Sequence, residues 1–335
     1  MEQSARSELQ EMIGAYRVSQ MLAVAGRLRL ADHLAAGARP VDELARVTGT
    51  HEDSLYRMLR ALACFDVFAE ESGRIFRLTP RAEWLRSDIS QSLRIAAEVV
   101  GEEWQWQPWG GLLHTVTTGQ TAFNHAYAES TWSWFDHHPA AAARFNELMD
   151  AVTTAEAETI VSSVDFSRAS TIVDVAGGQG VLLAEILRRY PRARGILFNL
   201  PAVIASARPA LENAFEDRMD LVAGDFFRGV PPGGDVYILK NVLHDWDDKR
   251  SADILASCRR AMTNRPSILL IMEYVVRPGP QPCLATMADV HMMVRSGGRN
   301  RTEEEWRGLL TDSGLRLRAV VRTGGPDVVE ATLDE

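Results

Sequence analysis

Apolar residues in the first half of the chain recur at intervals of three and four, the spacing that places them on one face of a helix. The pattern is clearest over residues 8–36, for which we predict a buried amphipathic helix. Two shorter helical segments on either side of a THED turn, followed by the strand-like GRIFRLTP, are typical of a winged helix-turn-helix. Most of the tryptophans lie in further helical sequence over 99–150. We therefore predict a helical domain over residues 1–165.

The second half of the chain changes to short β-branched runs that alternate with helical segments. Such alternation is typical of βαβ units, which build a parallel sheet with right-handed crossovers. Thr302 and Glu305 have the spacing of a capping box, which predicts a helix start, and the C-terminal residues predict a β-hairpin around a GGPD turn. We therefore predict an α/β domain over residues 166–335.

Composition and charge narrow the class of protein. With 46% hydrophobic residues, 24% charged residues and a net charge of −9, the chain is globular and acidic, which argues against nucleic acid or an anionic membrane as partner. Cys64, Cys258 and Cys283 are too widely spaced for a disulfide framework or a metal knuckle. The N-terminus lacks the features of a signal peptide, and no apolar run approaches the ~20 residues of a membrane helix. We expect a cytoplasmic protein.

A glycine-rich turn, DVAGGQG, runs from Asp174 to Gly180 between a predicted strand and a predicted helix. Glycines at such a turn let a ligand approach the backbone at the carboxyl edge of the sheet. The spacing matches neither the dinucleotide-binding pattern nor the phosphate-binding loop. GDF at 224–226 and LKNVLHDWDD at 239–248 end two later strands.

Together these segments resemble those of the S-adenosylmethionine-dependent O-methyltransferases of plant phenolic and bacterial antibiotic pathways. WGGLLHTV, DVAGGQG, FNLP, GDFF, LHDWDD and GGRNRT occur in that family's order. The resemblance implies a Rossmann-like class I methyltransferase domain, preceded by an all-helical dimerisation domain with a winged-helix portion. It also implies a homodimer that methylates a small molecule of secondary metabolism.

The resemblance implies a set of cofactor-binding residues after the strands: Asp174, Gly177, Asn199, Leu200, Asp225, Phe226 and Lys240. Gly177 would face the methionine portion of S-adenosylmethionine, and Asp225 and Phe226 would contact the adenine. Asn199 stands where the family usually has an aspartate for the ribose hydroxyls, so the charge-assisted part of that interaction is lost.

The resemblance also makes His244 the general base that deprotonates the acceptor hydroxyl, a task for a group that titrates near neutral pH. The family flanks this histidine with two acids. Glu273 matches the first, but Asn300 replaces the second. One of the two carboxylates that would raise the pKa of the imidazole is therefore missing.

A further histidine accompanies this loss. Met287, His291 and Arg295 are spaced by four, so they share one stripe of a helix, on a face that the resemblance assigns to the acceptor pocket. His244, Asp245 and His291 would form a two-histidine, one-carboxylate set suited to divalent zinc or iron. We therefore predict a metal site; the alternative is a single histidine that hydrogen-bonds the substrate.

A metal would favour methylation of carbon, because it can polarise the keto group of a chelated 2-oxo acid. The family resemblance includes a branch that methylates the β-carbon of such acids. Our main hypothesis is therefore metal-assisted C-methylation, with His244, Asp245, Glu273 and Arg295 as catalytic residues and Arg295 paired with the substrate carboxylate. The alternative is O-methylation of an aromatic or other hydroxyl, with His244 as general base.

Two other classes of protein remain. A winged-helix transcriptional regulator is disfavoured, because residues 40–77 hold seven acidic residues against five arginines, whereas a recognition helix should be basic. The other class is a methyltransferase-like protein that has lost methyl transfer and uses its pocket for another reaction.

Overall fold

The computed structural model describes residues 2–262, 266–279 and 284–334. Its backbone forms two units, one made of residues 1–107 and 143–151, the other of residues 108–142 and 152–335. These units divide the chain at other places than the predicted domain boundary after residue 165, which stays a prediction. Cys64 and Cys258 are free thiols, and Cys283 lies outside the described residues.

Helices predominate up to residue 110. The elements are α1 (Glu2–Arg27), α2 (Leu30–Leu34), β1 (Arg39–Pro40), α3 (Val41–Thr48), α4 (Glu52–Ala63), β2 (Phe68–Glu71), β3 (Ile75–Leu78), α5 (Pro80–Glu83), α6 (Arg94–Val100) and α7 (Glu103–Gly110). Helices α3 and α4, followed by the antiparallel pair β2 and β3, form the predicted winged helix.

The helix predicted over residues 8–36 differs from the structure in two respects. It is divided, because Arg29 adopts a left-handed backbone with φ 51° between α1 and α2. The beginning of α1 is also not buried in this chain, since Met12 and Ile13 are 72% and 69% exposed. The apolar spacing therefore marks a helical face, but this part of the face is uncovered.

From residue 111 onwards, four helices precede a region in which strands of one sheet alternate with helices. The elements are α8 (Leu112–Thr118), α9 (Ala122–Tyr127), α10 (Thr131–His137), α11 (Pro139–Ser163), β4 (Thr171–Val175), α12 (Val181–Arg189), β5 (Arg194–Asn199), α13 (Pro201–Phe215), β6 (Met219–Ala223), β7 (Val236–Lys240), α14 (Asp248–Met262), β8 (Ile268–Glu273), α15 (Leu284–Arg295), α16 (Glu303–Asp312), β9 (Leu315–Val321) and β10 (Asp327–Leu333). Short 3₁₀ turns cover Glu216–Arg218 and Leu243–Asp245.

The sheet has seven strands in the order β6-β5-β4-β7-β8-β10-β9. The first five are parallel, as predicted, and β10 pairs antiparallel with β8 and with β9 as the predicted terminal hairpin. Apolar side chains cover both faces of the central strands. Strand order reverses beside β4, which places a ligand crevice outside the carboxyl ends of the strands.

One local prediction is confirmed at the start of α16. Thr302 and Glu305 form the capping box, in which the Thr302 hydroxyl accepts from the Glu305 amide and the Glu305 carboxylate accepts from the Thr302 amide. No helix within the described ranges is both long and apolar enough to cross a membrane.

Candidate active site

The residues predicted to bind the cofactor follow four neighbouring parallel strands, β6, β5, β4 and β7. Asp174 and Gly177 lie at the end of β4, and Asn199 and Leu200 lie at the end of β5. Asp225 and Phe226 lie in the loop after β6, and Lys240 is the last residue of β7. Because the carboxyl ends of parallel strands meet at one edge, the fold brings all of these residues to that edge. Their contacts with a cofactor stay predictions.

Asp174 lies directly beneath the glycine-rich turn. Its side chain is buried, and neither carboxylate oxygen has a hydrogen-bond partner within the described residues. A β-carbon on Gly177 would overlap this carboxylate, so any larger residue there would have to displace the Asp174 side chain. Burial raises the pKa of Asp174 to about 7, while the positive charge of Lys240 opposes the rise. A buried carboxylate without a hydrogen bond is suited to a cationic ligand group, which would compensate its charge.

The polar side chains after the next two strands stabilise their own turns. Asn199 Oδ1 accepts from the Leu200 amide at 2.8 Å, and Asp225 Oδ1 accepts from the Phe227 amide at 2.9 Å. Leu200 is 51% exposed, and the ring of Phe226 packs edge-on against Phe227. In Asn199 and in Asp225, the hydrogen bond to one side-chain oxygen thus fixes the orientation of that side chain at the edge of the sheet.

Lys240 takes part in a buried ion pair that the sequence did not reveal. Its Nζ lies 2.8 Å from Glu156 Oε2 and 3.2 Å from Thr153 Oγ1, both on α11. The Tyr274 hydroxyl donates to the other oxygen of Glu156 at 2.8 Å, and burial followed by the charge of Glu156 raises the pKa of Tyr274. Glu156 gives no motif signal, because its partners lie far along the chain.

His244 lies in the 3₁₀ turn that follows β7. Its Nδ1 is buried and has no hydrogen-bond partner within the described residues. Its Nε2 lies 4.0 Å from Asp245 Oδ2, which is too far for a hydrogen bond. Burial, followed by the positive charges of Arg295 and Lys240, lowers the pKa of His244 to about 3. The imidazole is therefore neutral at physiological pH, and its pKa lies well below the near-neutral range that the sequence led us to expect for the base.

Residues 273 and 300, where the family has acids, contact the backbone rather than the imidazole ring. Glu273 Oε1 accepts from the backbone amide of His244 at 3.0 Å. Burial raises the pKa of Glu273 to about 7. Asn300 Nδ2 donates to the carbonyl oxygen of Tyr274 at 2.8 Å. Glu273 therefore holds the turn that carries His244.

Arg301 also holds this turn, and sequence reasoning missed it although it stands in the GGRNRT segment. Its guanidinium is buried and donates to the carbonyl oxygens of Leu243 at 3.2 Å and Trp246 at 3.1 Å. It donates as well to Ser251 Oγ at 3.1 Å and to Asp248 Oδ1 at 2.9 Å. Arg301 thereby fixes the backbone on both sides of His244.

The stripe of three residues on α15 runs from solvent into the interior. Met287 is 64% exposed, whereas Arg295 is 6% exposed. The His291 ring stacks on Trp109, with ring centroids 5.9 Å apart and an interplanar angle of 16°. Burial, followed by the charge of Arg295, lowers the pKa of His291 to about 4. The Arg295 guanidinium lies 5.4 Å from the centroid of the Trp132 ring.

The predicted metal site is not assembled. Within the described ranges, no three His, Cys, Asp or Glu side chains are placed to hold one ion. His291 stacks on Trp109, and the charge acting on Asp245 is the buried guanidinium of Arg295. This guanidinium would repel a divalent cation beside it. The set His244, Asp245 and His291 does not fit a metal, so we derive no step through one.

Two protein-family models match the chain and show its family. The O-methyltransferase dimerisation domain matches residues 10–88, and the O-methyltransferase domain matches residues 109–316. The chain therefore belongs to the O-methyltransferase family, and it is an S-adenosylmethionine-dependent methyltransferase of small molecules. The resemblance found in its sequence is thus confirmed.

Individual relatives cover nearly the whole chain. It is 43% identical to the phenazine O-methyltransferase PhzM of Lysobacter antibioticus, over 97% of this chain and 95% of that protein. The crystal structure of LaPhzM aligns with a TM-score of 0.94 and 42% identity, over 98% of this chain and 99% of that chain. NcsB1, an O-methyltransferase from neocarzinostatin biosynthesis, was solved with S-adenosylmethionine and 2-hydroxy-5-methyl naphthoic acid. It aligns with a TM-score of 0.83 and 31% identity, over 95% of this chain and 96% of that chain.

Proposed function

We propose that this protein transfers a methyl group from S-adenosylmethionine to a hydroxyl of an aromatic small molecule in secondary metabolism. The observation that carries the proposal is the position of His244, whose imidazole is partly exposed in the turn after β7, at the edge of the sheet where the Asp174–Gly177 turn lies. Methylation of oxygen is favoured over metal-assisted methylation of carbon, because the relatives described above are O-methyltransferases and the metal ligands do not converge.

The cofactor-binding residues would act at both ends of S-adenosylmethionine. Asp174 would pair with the ammonium group of the methionine portion, because its buried carboxylate needs a positive partner. Gly177 would let this group approach, and Phe226 would stack with the adenine. When bound, S-adenosylmethionine supplies an electrophilic methyl carbon whose bond to sulfur breaks as the acceptor oxygen bonds to it.

His244 would accept the proton of the acceptor hydroxyl. Its Nδ1 is covered by protein, which leaves Nε2 as the accepting atom. Asp245 Oδ2, 4.0 Å from Nε2, would stabilise the imidazolium that forms. Burial raises the pKa of Asp245 to about 6, so this carboxylate is mostly ionised above neutral pH. Glu273 would act as a positioning residue through the His244 amide.

Methyl transfer to hydroxynaphthalenes, followed by mass spectrometry, tests this proposal. We expect a methyl ether and S-adenosylhomocysteine in equal amounts, with a rate that chelators leave unchanged. His244→Asn should lower kcat by about 10²- to 10⁴-fold, the usual range for loss of a general base, while binding of S-adenosylhomocysteine persists. The exposed His137 provides the control, as His137→Asn should retain wild-type kcat. Products methylated on carbon, or loss of activity with chelator, would overturn O-methylation without a metal.

A further inference from the structure

We infer that Glu156 is a positioning residue for the cofactor: it holds the ammonium group of Lys240 away from Asp174, which leaves the Asp174 carboxylate to the ammonium group of S-adenosylmethionine. The inference deepens the proposed function and rests on it, since Asp174 pairs with that group there. Three observations support it: the register of two strands, the buried ion pair of Lys240 with Glu156, and the surroundings of the Asp174 carboxylate.

The register of β4 and β7 places Asp174 and Lys240 on the same face of the sheet. Asp174 pairs with Ile238 on the neighbouring strand, and directly paired residues share a face. Lys240 follows Ile238 by two residues, so its side chain returns to that face. A diagonal neighbour on the next strand lies within reach of a flexible four-carbon side chain. Lys240 is therefore a competitor for any cation that binds Asp174.

Helix α11 packs on this face and brings Glu156 to Lys240. Ile238 belongs to one buried cluster with Ala157 and Ile160 of α11, and Glu156 directly precedes Ala157. The Nζ of Lys240 lies 2.8 Å from Glu156 Oε2, and the two side chains are only 6% and 10% exposed. The helix therefore supplies a carboxylate that pairs with Lys240 on the same side of the sheet as Asp174.

Further hydrogen bonds hold both partners of this ion pair. Lys240 Nζ donates to Thr153 Oγ1 at 3.2 Å, and the Tyr274 hydroxyl donates to Glu156 Oε1 at 2.8 Å. Separating a buried, hydrogen-bonded ion pair is costly, because each charge would be left without compensation. The pair therefore keeps the ammonium group of Lys240 at α11.

Asp174 senses the charge of Lys240 without bonding to it. Its carboxylate is buried, and neither oxygen has a hydrogen-bond partner within the described residues. Burial raises the pKa of Asp174 more than the charge of Lys240 lowers it. A carboxylate in this state gains strongly from a cation that arrives with a ligand. If Glu156 lost its charge, Lys240 would instead pair with Asp174 and compete with the cofactor.

Calorimetry with two ligands tests the inference. S-adenosylhomocysteine carries the ammonium group, whereas methylthioadenosine has the same adenosine and thioether but lacks the amino-acid portion. Glu156→Gln keeps an acceptor for the Tyr274 hydroxyl and removes the charge that holds Lys240. We expect this variant to bind S-adenosylhomocysteine about tenfold more weakly than wild type, or weaker still, and methylthioadenosine with unchanged affinity. Glu158→Gln, at an exposed position of the same helix, is the control and should bind both ligands as wild type does.

A double variant separates competition by Lys240 from a loss of structure. Glu156→Gln combined with Lys240→Met contains neither charge of the buried pair, so it leaves no buried charge uncompensated there. It should bind S-adenosylhomocysteine at least as tightly as wild type. A loss of affinity that persists in the double variant, or unchanged affinity for S-adenosylhomocysteine in Glu156→Gln alone, would overturn the inference. If all these affinities are as expected but no methyl ether forms, the proposed function fails instead.

Discussion

The backbone of Gly298 lies against the carbonyl group of His244. A β-carbon at residue 298 would overlap the His244 carbonyl oxygen and lie 2.5 Å from the backbone nitrogen of Trp246. These are backbone atoms of the turn that carries the imidazole, so they cannot give way without moving His244. Glycine at residue 298 is therefore required by the position of the proposed base.

Replacing Gly298 with alanine should displace His244 and lower kcat at least tenfold. Affinity for S-adenosylhomocysteine should change little, since the turn of Asp174 and Gly177 lies at another strand. Steady-state kinetics together with calorimetry measure both effects. Gly308→Ala is the matched control, because a β-carbon there meets nothing within 4 Å. This control should retain kcat and stabilise α16 by about 1 kcal/mol. Wild-type kcat in Gly298→Ala would contradict the argument.

The sheet could be predicted because its signals are local. A run such as Thr171–Val175 is β-branched and ends in glycines, and the capping box of Thr302 and Glu305 is complete within four residues. The common edge of the site followed from the same signals, since parallel strands bring their carboxyl ends together. These features need no knowledge of distant contacts.

Contacts between distant segments could not be predicted in this way. Glu156 pairs with Lys240 only because α11 passes the end of β7, and no spacing in the sequence shows this. The metal hypothesis failed for a related reason. Spacing by four places His291 and Arg295 on one stripe of α15, but it does not fix the distance from that stripe to His244 on another loop. The spacing of apolar residues indicates which face of a helix is buried, but it does not indicate which segment of the chain packs on that face.

Arg301→Lys should weaken the turn that carries His244 while keeping the positive charge. Lysine lacks the fork that reaches the carbonyl oxygens of Leu243 and Trp246, so at least one buried acceptor loses its partner. We expect the free energy of unfolding to fall by about 1–3 kcal/mol and kcat to fall more than KM changes. Urea unfolding and kinetics measure these effects. Arg277→Lys, at an exposed arginine, should change neither quantity; a similar loss there would show that the effect is not specific to the turn.

Asp174→Asn should stabilise the ligand-free protein at alkaline pH. Burial raises the pKa of Asp174 from its ordinary 3.8 to about 7. Between these values the folded protein binds a proton that the unfolded chain has released, so this group lowers stability as pH rises through the window. The variant should therefore be more stable than wild type at pH 8, with an advantage that shrinks towards pH 5. The lowered pKa of His244 has the opposite effect on stability, but this contribution is the same in the wild type and in Asp174→Asn. Urea unfolding across this range measures the difference, and a constant difference would contradict the buried, ionisable state of Asp174.

The Asp174→Asn substitution should also weaken binding of the cofactor. An amide at residue 174 cannot neutralise the ammonium group that we place there, so affinity for S-adenosylhomocysteine should fall at least tenfold by calorimetry. Asp312→Asn, on the exposed side of α16, should leave both affinity and stability unchanged. Undiminished affinity in Asp174→Asn would remove Asp174 from the cofactor site while leaving the stability prediction intact.

The exposed apolar face of α1 should form the contact between two copies of the chain. Leu9, Met12, Ile13 and Tyr16 are 58%, 72%, 69% and 48% exposed, and their spacing places them on one helical face. Such a patch is costly in water, and most of it lies within the matched dimerisation domain. Met12→Glu and Ile13→Glu together should convert a dimer into a folded monomer, because carboxylates would be buried on association. Light scattering at micromolar concentration measures the mass, and circular dichroism verifies folding. Gln10→Glu, on the same helix, should remain dimeric; a monomeric wild type, or a double variant that still dimerises, would rule out this face.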